Sequence, residues 1–287
     1  MSADALPVIA AVDGSSHSWE ALEWATQEAL RRGWPLLLVH VRPLARRGSE
    51  EIQLREAEEL LEQAPRRTSR RAPDLPASTL TPLDFPSAAL TSLSRDASMV
   101  VVGSRGLGGF RSLMIGSNSL ATASMARCPV VVVNSGRAEE GEEGAAAAFP
   151  DVVAGVAADE SSEAVLEFAF AAVASRPGAR LRLVHGWTMF SSMLSGGPVF
   201  DREAAADAAE RTLAELTSGW FDTYPQVEVV CEPVSGSASR TLVTASATAA
   251  LTVVGRRKGG ESLGLGLSPV AQTTVTHALG PVAVVPC

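Results

Sequence analysis

A chain of 287 residues has room for two domains at roughly 150 residues each, and 46% hydrophobic against 20% charged residues is a globular rather than a disordered composition. The formal charge of −8 repels polyanions over long range, which points away from nucleic acid as a partner, and no stretch approaches the roughly 18 apolar residues of a membrane helix. Cys128, Cys231 and Cys287 are odd in number and far apart, so disulfides and zinc are not expected, and the absence of a signal-like start predicts a cytoplasmic protein.

The first apolar run, 8–12, leads into Asp13-Gly14-Ser15-Ser16 and then a segment in which Trp19, Leu22, Ala25 and Ala29 recur at spacings of three and four. That order predicts strand, turn and helix. A second run, 36–41, ends at His40-Val41 and precedes a charged helical segment over 50–63 with Ile52, Leu54, Leu60 and Leu61. A weaker strand near 78–81, a helix near 87–95, a strand at 99–102, a helix near 117–126 and a strand at 130–133 follow.

The pattern then repeats. Val100-Val101-Val102-Gly103 returns as Thr252-Val253-Val254-Gly255, and Pro129-Val130-Val131-Val132 returns at the same offset as Pro281-Val282-Ala283-Val284. The start of the chain is answered by 152–156 with Ser162 and Val165-Leu166, and the run ending in His40 by the run ending in His185. The chain therefore reads as a tandem duplication, with domains at 1–135 and 151–287 and an acidic, Gly- and Ala-rich linker over 136–150. Apolar runs alternating with helices predict, in each half, a five-stranded parallel α/β sheet, Rossmann-like, covered by helices on both faces.

Such sheets bind ligands beyond the carboxyl ends of the strands, where strand order reverses. Three segments converge there in the first half: the Asp13 turn, His40-Val41, and the stretch GSRGLGGFRSLMIGS that begins at Gly103 and ends at Ser117. Gly103 and Gly106 are expected to admit a ligand close to the backbone and to take positive φ. Gly116-Ser117 opens a helix whose first N–H groups have no intrahelical partner, a place for an anion.

The spacing Gly103-x-x-Gly106, nine residues, Gly116-Ser117, with the strand before it, the helix after it and the closing Pro-Val strand, resembles the nucleotide-binding pattern of the universal stress protein family. The duplication is similar to its tandem members, common in actinobacteria. The resemblance implies an adenine nucleotide alpha hydrolase-like fold and ATP as ligand, with or without Mg2+. It implies that Asp13 faces the ribose or adenine and that the Val41 backbone meets the adenine edge. Gly103 and Gly106 would line the ribose and first phosphate, Gly116, Ser117, Asn118 and Ser119 would hold phosphate oxygens, and Arg105 and Arg111 would add countercharge. Plainer readings stand beside these: Asp13 as a helix cap, His40 and His185 as packed residues, Arg105 and Arg111 as solvated surface.

The second half departs from the pattern. Gly106 aligns with Lys258, Gly116 with Ser268, Ser117 with Pro269, and Asp13-Gly14 with Ala157-Ala158, so nucleotide is expected mainly in the first domain. The loop lacks Gly-Lys-[Ser/Thr], and no nucleophile elbow or paired carboxylates stand in the crevice, so no catalytic residue is assigned. The expected function is an ATP-binding regulatory module of the stress response. A slow ATPase or phosphotransferase and a nucleotide-free scaffold are the alternatives. The terminal strands, 130–133 and 282–285, are expected to join the halves as an intramolecular pseudo-dimer, with a homodimer also open. An unidentified protein partner is expected at 50–62 or at 188–197.

Overall fold

The computed structural model describes residues 5–44, 50–106, 115–134, 151–187, 202–256 and 266–287. Arg111, Lys258, the linker 136–150 and the segment 188–197 lie outside the described residues. The chain divides into two compact units, the first running to Ser135 and the second from Gly136 to Val285.

The first unit contains β1 (Val8–Ala11), α1 (Ser16–Arg32), β2 (Leu36–Val39), α2 (Glu50–Arg71), β3 (Ala77–Leu80), α3 (Pro86–Leu93), β4 (Met99–Gly103), α4 (Ser117–Met125) and β5 (Val130–Val133). The strands lie in the order β3-β2-β1-β4-β5, and all four neighbour pairs are parallel. Val8 stands beside Leu36 on one side and Met99 on the other. The order therefore reverses between β2 and β4, and the loops leaving β1, β2 and β4 share one crevice.

The Val-rich strands form because both of their faces are covered: every residue of β4 and β5 is buried. α1 turns Ala21, Leu22, Ala25 and Ala29 into that core. It starts at an N-cap, Ser15, whose hydroxyl accepts the Ser18 N–H, and stops at Gly33, where φ of 65° reverses the chain. Burial also pushes the Cys128 thiol up to about 12, so it stays a neutral packing group.

Two elements differ from the sequence reading. α2 does not stop near residue 63 but continues through Pro65 to Arg71. Ala57, Ala64 and Thr68 are all buried, so the packed face carries on across the missing N–H. The second difference is in the second unit, where the fifth strand expected from the duplication lies over Glu228–Ser235, a stretch not marked as a strand by its own sequence.

The second unit holds β6 (Val152–Gly155), α5 (Ser161–Ala174), β7 (Arg180–Trp187), α6 (Arg202–Thr217), α7 (Trp220–Thr223), β8 (Glu228–Ser235), α8 (Ala238–Ser246), β9 (Leu251–Arg256), α9 (Pro269–His277) and β10 (Val282–Pro286). Its order, β10-β9-β6-β7-β8, repeats that of the first unit. Phe170 of α5 is fully buried and stacks on Trp220 at 5.3 Å and on Tyr224 at 5.5 Å, which fastens α7 to the core. On β7, Arg182 forks onto Glu232 of β8 at 2.7 and 3.1 Å. Arg180 holds the Asp151 carboxyl below its ordinary range through a 2.7 Å hydrogen bond.

Candidate functional site

In the first unit a cleft of about 450 Å³ opens at the carboxyl ends of β1, β2 and β4. Nine of the residues singled out from sequence line it, Asp13, Val41, Gly103, Arg105, Gly106, Gly116, Ser117, Asn118 and Ser119, while Arg111 lies outside the described residues. Strand order brings them together, because the ends of β1, β2 and β4 point the same way and the Ser119 hydroxyl ties the start of α4 to the Gly103 carbonyl. Pro86 and Leu90 of α3, which the sequence reading did not assign, add apolar lining.

Asp13 is not the cap of α1. Its Oδ1 accepts from the Ser15 N–H at 3.0 Å and the Ser15 hydroxyl at 2.6 Å, and Ser15 makes the cap. The Ser15 Oγ also lies 3.3 Å from the Arg105 carbonyl, so one hydroxyl ties the β1 turn to the loop after β4. The other Asp13 oxygen lies against Gly106, where an added Cβ would sit 2.5 Å from it.

Neither Gly103 nor Gly106 has the positive φ expected of it. Gly106 is bare so that the Asp13 carboxylate can lie on it. Gly103 is bare because α1 crosses the end of β4: a Cβ there would stand 2.7 Å from the backbone carbon and oxygen of His17. Backbone cannot move aside cheaply. Gly103→Ala is therefore expected to lower the unfolding free energy by about 1–3 kcal/mol, measured by urea denaturation without ligand.

At α4 the geometry is open. Gly116 has φ −72° and ψ 145°, and no side chain caps the helix. Its N–H donates to the Ser104 carbonyl at 2.6 Å, while the Ser119 hydroxyl donates to the Gly103 carbonyl at 2.7 Å and anchors the helix start to β4. The Ser119 hydroxyl is thus committed to the fold. What α4 presents to the cleft is its first amides, at Ser117, Asn118 and Ser119, with the positive end of the helix dipole behind them. The same cleft is lined by Arg105, whose buried Nε has no hydrogen-bond partner among the described residues and is a donor available to an acceptor.

His40 also borders the cleft, with Nδ1 2.8 Å from the Val12 carbonyl. A carbonyl can only accept, so Nδ1 carries the proton. His185 makes the same bond to Val156 in the second unit at 3.1 Å. The histidines are clips between the ends of neighbouring strands, and the packed reading is the one the geometry favours.

The sequence profile described as "Universal stress protein family" matches residues 6–134 and again 149–286. The chain belongs to that family. Among its relatives, the universal stress protein Rv2005c of Mycobacterium tuberculosis is 32% identical, with 96% of each chain covered. Rv2623 of the same organism is 29% identical over 97% of this chain and 96% of its own. A crystal structure of a universal stress protein from Archaeoglobus fulgidus superposes with a TM-score of 0.73 at 18% identity, over 98% of this chain and 96% of that one, and shares the fold.

The second universal stress protein unit has the same scaffold and a different crevice. The N-cap of α9, Ser268, takes the Ala271 N–H on its own hydroxyl at 3.2 Å, and Pro269 has no N–H to offer. Two of the donors that α4 leaves open are gone. α8 also packs directly on β6 and β7. A Cβ on Gly186 would stand 2.7 Å from the Ala238 Cβ, and one on Gly155 would stand 2.8 Å from Leu242 Cδ1. Asp159 accepts from the backbone and hydroxyl of Ser161, the same turn that Asp13 makes with Ser15.

Proposed function

We propose that the chain is an ATP-binding regulatory module of the stress response and that the first unit holds the nucleotide. The observation that carries this is the uncapped start of α4, whose first amides line the same cleft as Arg105, with its buried Nε unpartnered among the described residues. That end suits a polyanion. Val41, Pro86 and Leu90 add apolar lining to the same cleft, which suits a flat, largely apolar base, and Asp13 is a carboxylate to which ribose hydroxyls would donate.

Asp13 is the one carboxylate among the lining residues, and one of its oxygens is already bound by Ser15. That is too small a donor set for a metal seat of the chain's own. Mg2+ would enter with the phosphates and be held by them. The lining residues bind and orient, and the His40 ring is clipped to Val12. Occupancy, rather than turnover, is then what a protein partner reads.

The test is mass spectrometry of whatever nucleotide the purified protein releases on denaturation, joined to thermal denaturation with added ATP. An adenine nucleotide and a rise in Tm of about 5 °C or more at saturation are expected. Protein that carries no nucleotide and shows no shift with ATP would leave the scaffold reading in its place.

A further inference from the structure

We propose that the β3 edge of the first unit is an interface between two copies of this chain, related by a two-fold axis perpendicular to the sheet. β3 is the outermost strand, all four of its residues are exposed, and no described strand pairs with its outer side. The carbonyls of Pro76, Leu80 and Pro82 accept from Leu36, His40 and Arg42. A parallel ladder uses alternate residues, so the N–H and C=O groups of Ala77, Thr79 and Thr81 point outward.

Nothing on the strand guards that edge. Ala77, Ser78, Thr79 and Leu80 include no charge, and the chain just beyond exposes Leu83 at 55% and Phe85 at 63%. A four-residue strand alone is too short to hold a dimer. α2, a helix about 33 Å long, packs against β3 and adds its own exposed residues beside that edge.

The charge on α2 selects the occupant. Before Pro65 it carries Glu51, Glu56, Glu58, Glu59 and Glu62 against a single arginine, Arg55, and after it come Arg66, Arg67, Arg70 and Arg71. Within the chain Arg66 pairs with Glu62 and Arg67 lies over the Trp19 ring, while Arg70 and Arg71 remain exposed. Antiparallel pairing of two β3 edges puts both copies of α2 on the same face, running in opposite directions. The acidic half of each then meets the basic half of the other, so the surface complements itself. Ile52 and Leu54, both exposed, add apolar area on the acidic half.

Sedimentation equilibrium of the full chain tests this. A species of twice the 29.8 kDa chain mass is expected at about 100 μM in low salt. Thr79→Pro, which removes one outward N–H, and Leu83→Glu, which places charge on the seam, should each weaken the dimer at least about tenfold. Hydrogen exchange at Ala77, Thr79 and Thr81 should slow as concentration rises. If Thr79→Pro does not fold, Leu83→Glu carries the test, since its side chain is largely in solvent. A monomer at every concentration, or a dimer that neither substitution weakens, overturns the proposal.

Discussion

Gly116→Trp is expected to lower ATP affinity at least about a hundredfold while changing the stability of the ligand-free chain by less than about 1 kcal/mol. The two halves of this expectation have separate causes. At Gly116 the backbone is in an ordinary extended conformation, so any residue can adopt it. A Cβ there would meet the Ser104 carbonyl at 3.4 Å, Arg105 Cα at 3.7 Å and Ser119 Oγ at 3.8 Å, all normal contacts. The fold therefore accepts a side chain at this position. The remaining direction for an indole is into the cleft, across the amides of Ser117 and Asn118.

Each charge-assisted N–H bond to a phosphate oxygen is worth about 1.5–3 kcal/mol, so blocking two reaches a hundredfold comfortably. Gly116→Ala is the control and should bind within about tenfold of the parent. Calorimetric titration measures the affinity and thermal denaturation the stability. Undiminished binding by the tryptophan variant would mean that phosphates do not lie on α4.

Much of the candidate site was legible in the amino-acid sequence, for a topological reason. Buried parallel strands announce themselves as short Val- and Leu-rich runs, and the reversal of strand order forces the loops after β1, β2 and β4 into one place. Residues placed just after those runs could hardly fail to meet. What escaped was decided by contacts between distant segments. Gly103 answers to the His17 backbone and Gly106 to Asp13, neither of which a glycine-spacing pattern can express. The place of β8, the fifth strand expected of the second half, escaped because it is a half-exposed edge strand that mixes Glu228, Glu232 and Pro233 with its valines, so no continuous apolar run marks it. α2 passed through Pro65 because its buried alanines and Thr68 kept their spacing.

Titration of the whole chain with ATP is expected to saturate at one nucleotide, and restoring the lost donors of the second unit should not create another site. Ser268→Gly with Pro269→Ser returns the N–H that proline removed and frees the one that Ser268 holds, at a cost of a few tenths of a kcal/mol in helix capping. A phosphate could then sit at α9 as it would at α4. The base could not follow. In the second unit Ala238 and Leu242 stand so near the ends of β7 and β6 that a Cβ added at Gly186 or Gly155 would meet them at 2.7 and 2.8 Å, while in the first unit Val41 and Pro86 line the cleft. Opening a slot there means lifting α8 from β6 and β7 and exposing Leu242, a fully buried side chain worth about 1.5–3 kcal/mol. The same titration on the Gly116→Trp chain discriminates further, since it should show no residual site. Two equivalent sites in the parent, or a second of similar affinity in the restored variant, would show that small residues packed at Gly186 and Ala238 do not close the crevice.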